Sequence, residues 1–256
     1  MSEVLSSSPN HGRIIRAALI IFPVGTVILG IGSFGIWWFK KAKVEERNFK
    51  YAMALRRDLS EAGIKRYEDV LKDVLRQPDA QKIPAVAAYL ESSMGGENMG
   101  YQVRRDRFQF EPVELANVDV ELSTKKRFRD VVLLLVPYGD ASRLEEESRA
   151  ISLLMSLAHA ITGESGSCTL RLAVVPAGLD KKALERFVAN ARAKDERFMQ
   201  VFVAGGVPDA MLSDVKTAFR VEETGTVVTS LPDTGDTANT FLSAQALKTR
   251  LLKAIE

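Results

Sequence analysis

The sequence predicts an α/β protein: a three-layer sandwich around a mostly parallel mixed sheet, preceded by one transmembrane helix. Three observations predict it. Residues 17–39 carry no charged side chain. A continuous apolar run stands at residues 131–136, as a strand buried on both faces does, and the mostly apolar runs at 170–175 and 198–204 read as a second and a third buried strand. Segments of helical period separate and follow these runs, and such alternation is the mark of an α/β layer architecture.

The N-terminal run is taken first. A helix needs about 20 mostly apolar residues to cross a bilayer core. Trp37 and Trp38, followed by Lys40 and Lys41, give the aromatic-then-basic edge of a membrane–water interface. A cleaved signal peptide has a shorter apolar region, about 7–15 residues, and ends at a small-residue site. Here Trp37, Trp38, Phe39 and Lys40 stand at that place. A disordered tail is therefore expected over residues 1–13, an uncleaved single-pass anchor over 14–39, and a helical juxtamembrane segment over 40–80. Membrane lipid is the partner expected for residues 14–39. Only Arg13 and Arg16 precede the span, whereas Lys40, Lys41, Lys43, Arg47 and Lys50 follow it. Taken alone, that asymmetry places the C-terminal part in the cytoplasm, but the side of the membrane on which the domain lies is left open. Gly25 and Gly32 are seven apart and share a helix face, which lets a second helix approach. Residues 30–35 spell G-x-G-x-x-G, but without the strand before and the helix opening after that dinucleotide binding requires. No cofactor is expected.

The remaining residues suffice for one well-packed domain, expected over 81–256. The net charge is +2, with acidic and basic residues interspersed, so no nucleic-acid partner is expected. Anionic lipid is the electrostatic partner the juxtamembrane lysines suit. The single Cys168 allows no internal disulfide.

Along the soluble part, Tyr67, Leu71, Val74 and Leu75 give a helical stripe ended by Pro78. A second helix is expected over 84–92, with Pro84 in its first turn and Gly95 and Gly96 beyond its end. Alternation then predicts an edge strand through Phe110 and another over 113–122, with a hairpin connection over 123–129 on the way to the run at 131–136. An amphipathic helix over 145–161 sets Ile151, Leu154, Ala158 and Ile161 on one face. Glu145, Glu146 and Glu147 read as its solvated acidic first turn. After the run at 170–175 come a helix over 180–194, with Asp180 as N-cap, and the run at 198–204. A short helix over 208–219, a strand over 224–231 and a terminal helix over 243–255 complete the chain.

Several segments in this order resemble the di-zinc aminopeptidase family. Residues 115–122, LANVDVEL, resemble that family's NVIAELPG strand; residues 130–140, DVVLLLVPYGD, resemble EVVLLGAHYDS; residues 150–161, AISLLMSLAHAI, resemble GVAALLELARAL. Residues 98–103 and 170–178 resemble further family strands, and residues 233–237 with Leu242 resemble a late YHTPADTPDKLD segment. The likeness covers roughly residues 84–256.

The resemblance implies two zinc ions held by two His and three carboxylates, with a further Glu as base. Followed position by position, the H-x-D pair falls on Pro137 and Gly139, and the E-E pair on Gly178 and Leu179. A bridging Asp falls near Glu145 or Glu146, a carboxylate near Ala204 or Gly205, and the terminal His near Asp233. Zinc needs N, O or S donors converging at about 2 Å. Glu145, Glu146 and Asp233 are the only remnant candidates, and no catalytic, cofactor or metal residue is assigned. The chain has two histidines: His11, before the span, and His159, late in a helix at a position the family fills with Arg. Counting excludes a His-based di-zinc centre within one chain. Cys168 opens a buried strand and has no nucleophile motif around it; Gly163 to Ser167 read as a turn.

The expectation is a membrane-anchored, catalytically inactive aminopeptidase-like domain that binds or scaffolds a protein partner. Family precedent includes inactive receptor ectodomains and transamidase-complex subunits. Two alternatives stand beside it: a hydrolase with a non-standard metal site around Glu145, Glu146 and Asp233, and an unrelated α/β subunit of a membrane complex, which a flavodoxin-like strand order would favour.

Overall fold

The three apolar runs form the middle of one sheet. A computed structural model describes residues 30, 32–41, 43, 46, 50, 54–110, 113–122, 129–164 and 166–256. The chain divides into two units, Met1–Phe49 and Lys50–Glu256.

The second unit carries six strands: β1 (Val103–Phe110), β2 (Val113–Leu122), β3 (Asp130–Pro137), β4 (Thr169–Val175), β5 (Arg197–Val203) and β6 (Val227–Ser230). Their spatial order is β1-β2-β4-β3-β5-β6. The pairings β4–β3, β3–β5 and β5–β6 are parallel; β1–β2 and β2–β4 are antiparallel. The helices are α1 (Glu61–Leu75), α2 (Asp79–Met94), α3 (Leu144–Ile161), α4 (Lys182–Arg192), α5 (Asp209–Phe219), the single turn α6 (Val221–Thr224) and α7 (Thr237–Ile255).

The period of two along β3 divides its side chains between two cores. Val132, Leu134 and Val136 pack with residues of α1, α2, α3 and α7. Val131, Leu133 and Leu135 pack with residues of α4 and α5. This is the expected three-layer arrangement. Each of these six side chains is at most 1% exposed, and truncating Leu133 or Leu134 to Ala costs about 2–5 kcal/mol. Charged side chains at Arg104, Arg105, Asp106 and Arg107 line β1, at one edge of the sheet, and discourage strand addition there.

Beyond α4, the face of β1, β2 and β4 carries ion pairs in place of an apolar core. Register puts Arg104 opposite Asp119, and Glu121 opposite Arg171. Arg104 bonds Asp119 and lies 2.6 Å from Glu121. Arg171 pairs Glu196 at 2.6 Å, both side chains being only 3% exposed.

Several expectations are corrected. β2 and β3 are not neighbours, because β4 lies between β2 and β3; the connection over 123–129, mostly outside the described residues, is therefore no hairpin. Pro84 stands inside α2, not in its first turn, because the helix already starts after Pro78. α7 starts at Thr237, six residues before the expected 243, because the Asp236 carboxylate accepts from the Asn239 N–H at 2.7 Å and caps it there. Helix α3 is not one-sided: from Glu147 to Ile161 every residue is buried. Ile64, Tyr67, Leu71 and Leu75 of α1 belong to the main core, so the segment expected over 40–80 contributes a helix to the α/β unit.

In the first unit, residue 30 and residues 32–41 are helical, so the described residues of the G-x-G-x-x-G at 30–35 are helical. Phe34, Ile36, Trp37, Trp38 and Phe39 are exposed. Among the described residues no helix is long and apolar enough to cross a membrane; most of the expected span over 14–39 lies outside them.

Candidate functional site

In open α/β sheets, ligands gather at the carboxyl ends of the parallel strands. Here the loops after β3, β4, β5 and β6 meet at that edge. β3 runs into Pro137, Tyr138 and Gly139, and the loop after β4 presses onto it. The Gly178 N–H donates to the Tyr138 carbonyl at 2.9 Å. A Cβ on Gly178 would stand 2.6 Å from the Asp140 nitrogen, and Gly139, at φ +113°, would bring a Cβ within 2.7 Å of Leu179. Only glycine suits both positions.

The chain's own polar groups fill this edge. The buried Glu147 carboxylate accepts from the Gly139 N–H at 3.0 Å and the Asp140 N–H at 2.8 Å. Burial pushes its pKa up to about 7, against the pull of those two N–H groups and of Arg143 and Lys82. Asp140 accepts from the Ser142 hydroxyl at 2.7 Å and its N–H at 2.9 Å, bonds that lower its pKa and open the 3₁₀ turn Ala141–Arg143. Arg143 donates to the Gly205 carbonyl after β5, while its buried Nη1 has no hydrogen-bond partner among the described residues. The Tyr138 hydroxyl is buried and likewise unbonded.

Arg149 forms a two-point bond to Asp233, at 3.1 Å from Nε and 3.0 Å from Nη2. Burial works against the charged form of Asp233, but Arg149 and the N–H groups of Gly235 and Thr234 outweigh it and lower its pKa. Arg149 Nη1 also lies 3.7 Å from Glu145, whose other cation is Lys72 at 2.7 Å. The Lys72 bond lowers the pKa of Glu145, and the bonds to Glu145 and Glu68 raise that of Lys72. Lys72 reaches Glu68 at 2.8 Å, and Glu68 accepts from Thr237 at 3.0 Å. A continuous chain of charge thus runs from the loop before α7, through α3 and α1, back to the first turn of α7. Beside it lies a cleft of about 200 Å³ lined by Leu153, Leu231, Leu247, Arg149, Asp233 and Arg250.

The positions that resemblance assigns to metal ligands do come to one edge. Pro137 ends β3 opposite Val175, Gly139 meets Gly178 and Leu179, Gly205 meets Arg143, and Asp233 meets Arg149. Their chemistry does not fit zinc. Proline, glycine and leucine side chains bring no donor, two guanidinium groups stand at the edge, and Asp233 and Glu145 already face cations. Glu146 is half-buried and forms no ion pair among the described residues. Among the described residues no group of three His, Cys, Asp or Glu could hold a metal ion. His159 lies away from these loops, buried, with Nδ1 2.9 Å from the Tyr67 hydroxyl; burial lowers its pKa.

Sequence reasoning missed Arg143, Glu147 and the Lys72–Glu68 pair. One signal was available. Carried back one turn, the apolar stripe Ile151, Leu154, Ala158 and Ile161 lands on Glu147, so this glutamate belongs to the buried face and not to the solvated run.

The fold is that of zinc exopeptidases and glutaminyl cyclases. A zinc-dependent exopeptidase from Parabacteroides distasonis superposes with a TM-score of 0.59 at 9% identity, over 77% of this chain and 99% of that one. A glutaminyl cyclase from Fimbriiglobus ruber gives 0.57 at 13% identity, over 77% and 96%. A leucine aminopeptidase precursor from Bacteroides thetaiotaomicron gives 0.57 at 9% identity, over 78% and 97%. No family model matches the sequence, and no curated protein matches it. The antiparallel β1–β2 edge, with β4 between β2 and β3, is not the flavodoxin-like order.

Proposed function

We propose that this chain is a membrane-anchored, non-catalytic binding or scaffolding module built on the zinc exopeptidase fold. One observation carries the reading: Arg143 and Arg149 occupy the strand-end edge, and Arg149 takes the carboxylate of Asp233 for itself. A guanidinium keeps its charge at every accessible pH. Held in a partly buried edge, two such groups disfavour a divalent cation. The membrane part rests on the uncharged run over 17–39 and its Trp–Lys boundary. Protein–protein contact is the role left to such a domain, and the cleft beside Arg250 is a place for it.

Two assays test the proposal on the full chain. Carbonate extraction of cell membranes should leave the protein in the pellet; release into the supernatant argues against the anchor. Aminopeptidase and glutaminyl cyclase assays with added zinc should show no turnover above a blank. Turnover that disappears on zinc removal would replace this reading with the hydrolase.

A further inference from the structure

We propose that Lys40, Lys41 and Lys43 hold the headgroups of acidic phospholipids at the end of the aromatic helix. This rests on the membrane reading above and adds the lipid class.

The helix at residues 32–41 presents Phe34, Ile36, Trp37, Trp38 and Phe39, each more than half exposed. So many adjacent large apolar side chains mark a surface made for an apolar medium. The uncharged sequence before them extends back to Ala17, long enough to make that medium a bilayer. Two of the three lysines are tied to aromatic rings. The Lys41 ammonium stands 5.3 Å from the centre of the Trp37 ring, and the Lys43 ammonium 4.9 Å from that of Phe39. Indole rings settle at the headgroup level of a membrane, so these contacts carry the ammonium groups to the depth of the phosphates. Lysine suits that place, because its long stem covers apolar surface while its charge stays at the polar boundary.

Charge complementarity selects the headgroup. Residues 40–50 hold five basic and two acidic side chains. A basic cluster directly after a span attracts anionic lipid and is indifferent to zwitterionic lipid.

The chain's two tryptophans are Trp37 and Trp38, so its tryptophan fluorescence reports this boundary alone. The full chain is reconstituted into vesicles of phosphatidylcholine with a minority of phosphatidylglycerol, with bromine on the acyl chains of one lipid or the other. Per mole of brominated lipid, phosphatidylglycerol should quench roughly twice as strongly as phosphatidylcholine. The preference should shrink in high salt. It should vanish in the Lys40→Gln, Lys41→Gln, Lys43→Gln triple variant. Equal quenching in the native chain, or a preference kept by the variant, overturns the headgroup assignment and leaves the membrane reading standing. No quenching by either lipid overturns both.

Discussion

Two ionic networks stand on opposite terms in this molecule. One lies on the face of β1, β2 and β4, where Arg104, Asp119, Glu121, Arg171 and Glu196 bind strands already held in register. The other lies at the carboxyl ends of the strands, where Arg149, Asp233, Glu145, Lys72 and Glu68 join two helices and a loop distant in sequence. The first reinforces what backbone pairing fixes. The second closes the edge where this fold elsewhere carries chemistry. Its charges face one another, and a site built to receive an ion would leave them facing inward and unpaired.

The largest expected effect lies in the strand-face network. Replacing Arg171, whose side chain is 3% exposed, by Met removes the buried cation that Asp119, Glu121 and Glu196 share, and should cost about 3–5 kcal/mol in urea unfolding. The double change Arg171→Met with Glu196→Leu should recover part of that loss, since the two closely paired charges are then removed together and Arg104 still faces Asp119 and Glu121. A double variant as unstable as the single one would mean that the network is needed for more than charge balance.

Glu147 gives the next effect, visible in pH. Its pKa stands at about 7 in the folded chain against an ordinary 4.5. The folded state therefore binds the extra proton between these values, and the stability due to Glu147 falls as pH rises from about 4.5 to 7. The span corresponds to at most about 3 kcal/mol. His159, whose pKa is lowered, slopes the other way, losing stability as pH falls below its ordinary 6.5. Comparing Glu147→Gln with the native chain cancels the His159 part. The variant should lack the fall over that window; identical pH profiles would contradict the assignment.

At the strand-end edge, Asp233→Asn leaves Arg149, 9% exposed, without its two-point partner and should cost about 2 kcal/mol. Glu145→Gln, which removes the bridge from Lys72 to a half-exposed carboxylate and leaves the Lys72–Glu68 pair in place, should cost less than about 1 kcal/mol in the same unfolding assay. A Glu145 effect as large as that of Asp233 would show one cooperative cluster in place of two separable pairs.

How much of this was legible in the sequence follows from what is local. β3 is a continuous apolar run, as a strand buried on both faces requires, and β4 and β5 are mostly apolar, interrupted at Arg171 and Gln200; all three were readable as strands. The β2–β3 connection was misread because neighbours in sequence are the default neighbours in space, and nothing local shows that β4 enters between β2 and β3. The missing donors at Pro137, Gly139, Gly178 and Leu179 were visible once the resemblance supplied the positions. The guanidinium groups in their place were not, since Arg149 meets Asp233 across 84 residues and Arg143 meets Gly205 across 62. Glu147 was half legible: its helical phase put it inside, while its acidic neighbours suggested solvent.

The central claim is that the strand-end edge is closed by the chain's own cations. Elemental analysis of the purified full chain, after incubation with excess zinc and gel filtration, tests it most directly. The account predicts zinc far below one equivalent, unchanged in Asp233→Asn. One or two equivalents retained by the native chain, and lost in that variant, would contradict it and make Asp233 a ligand.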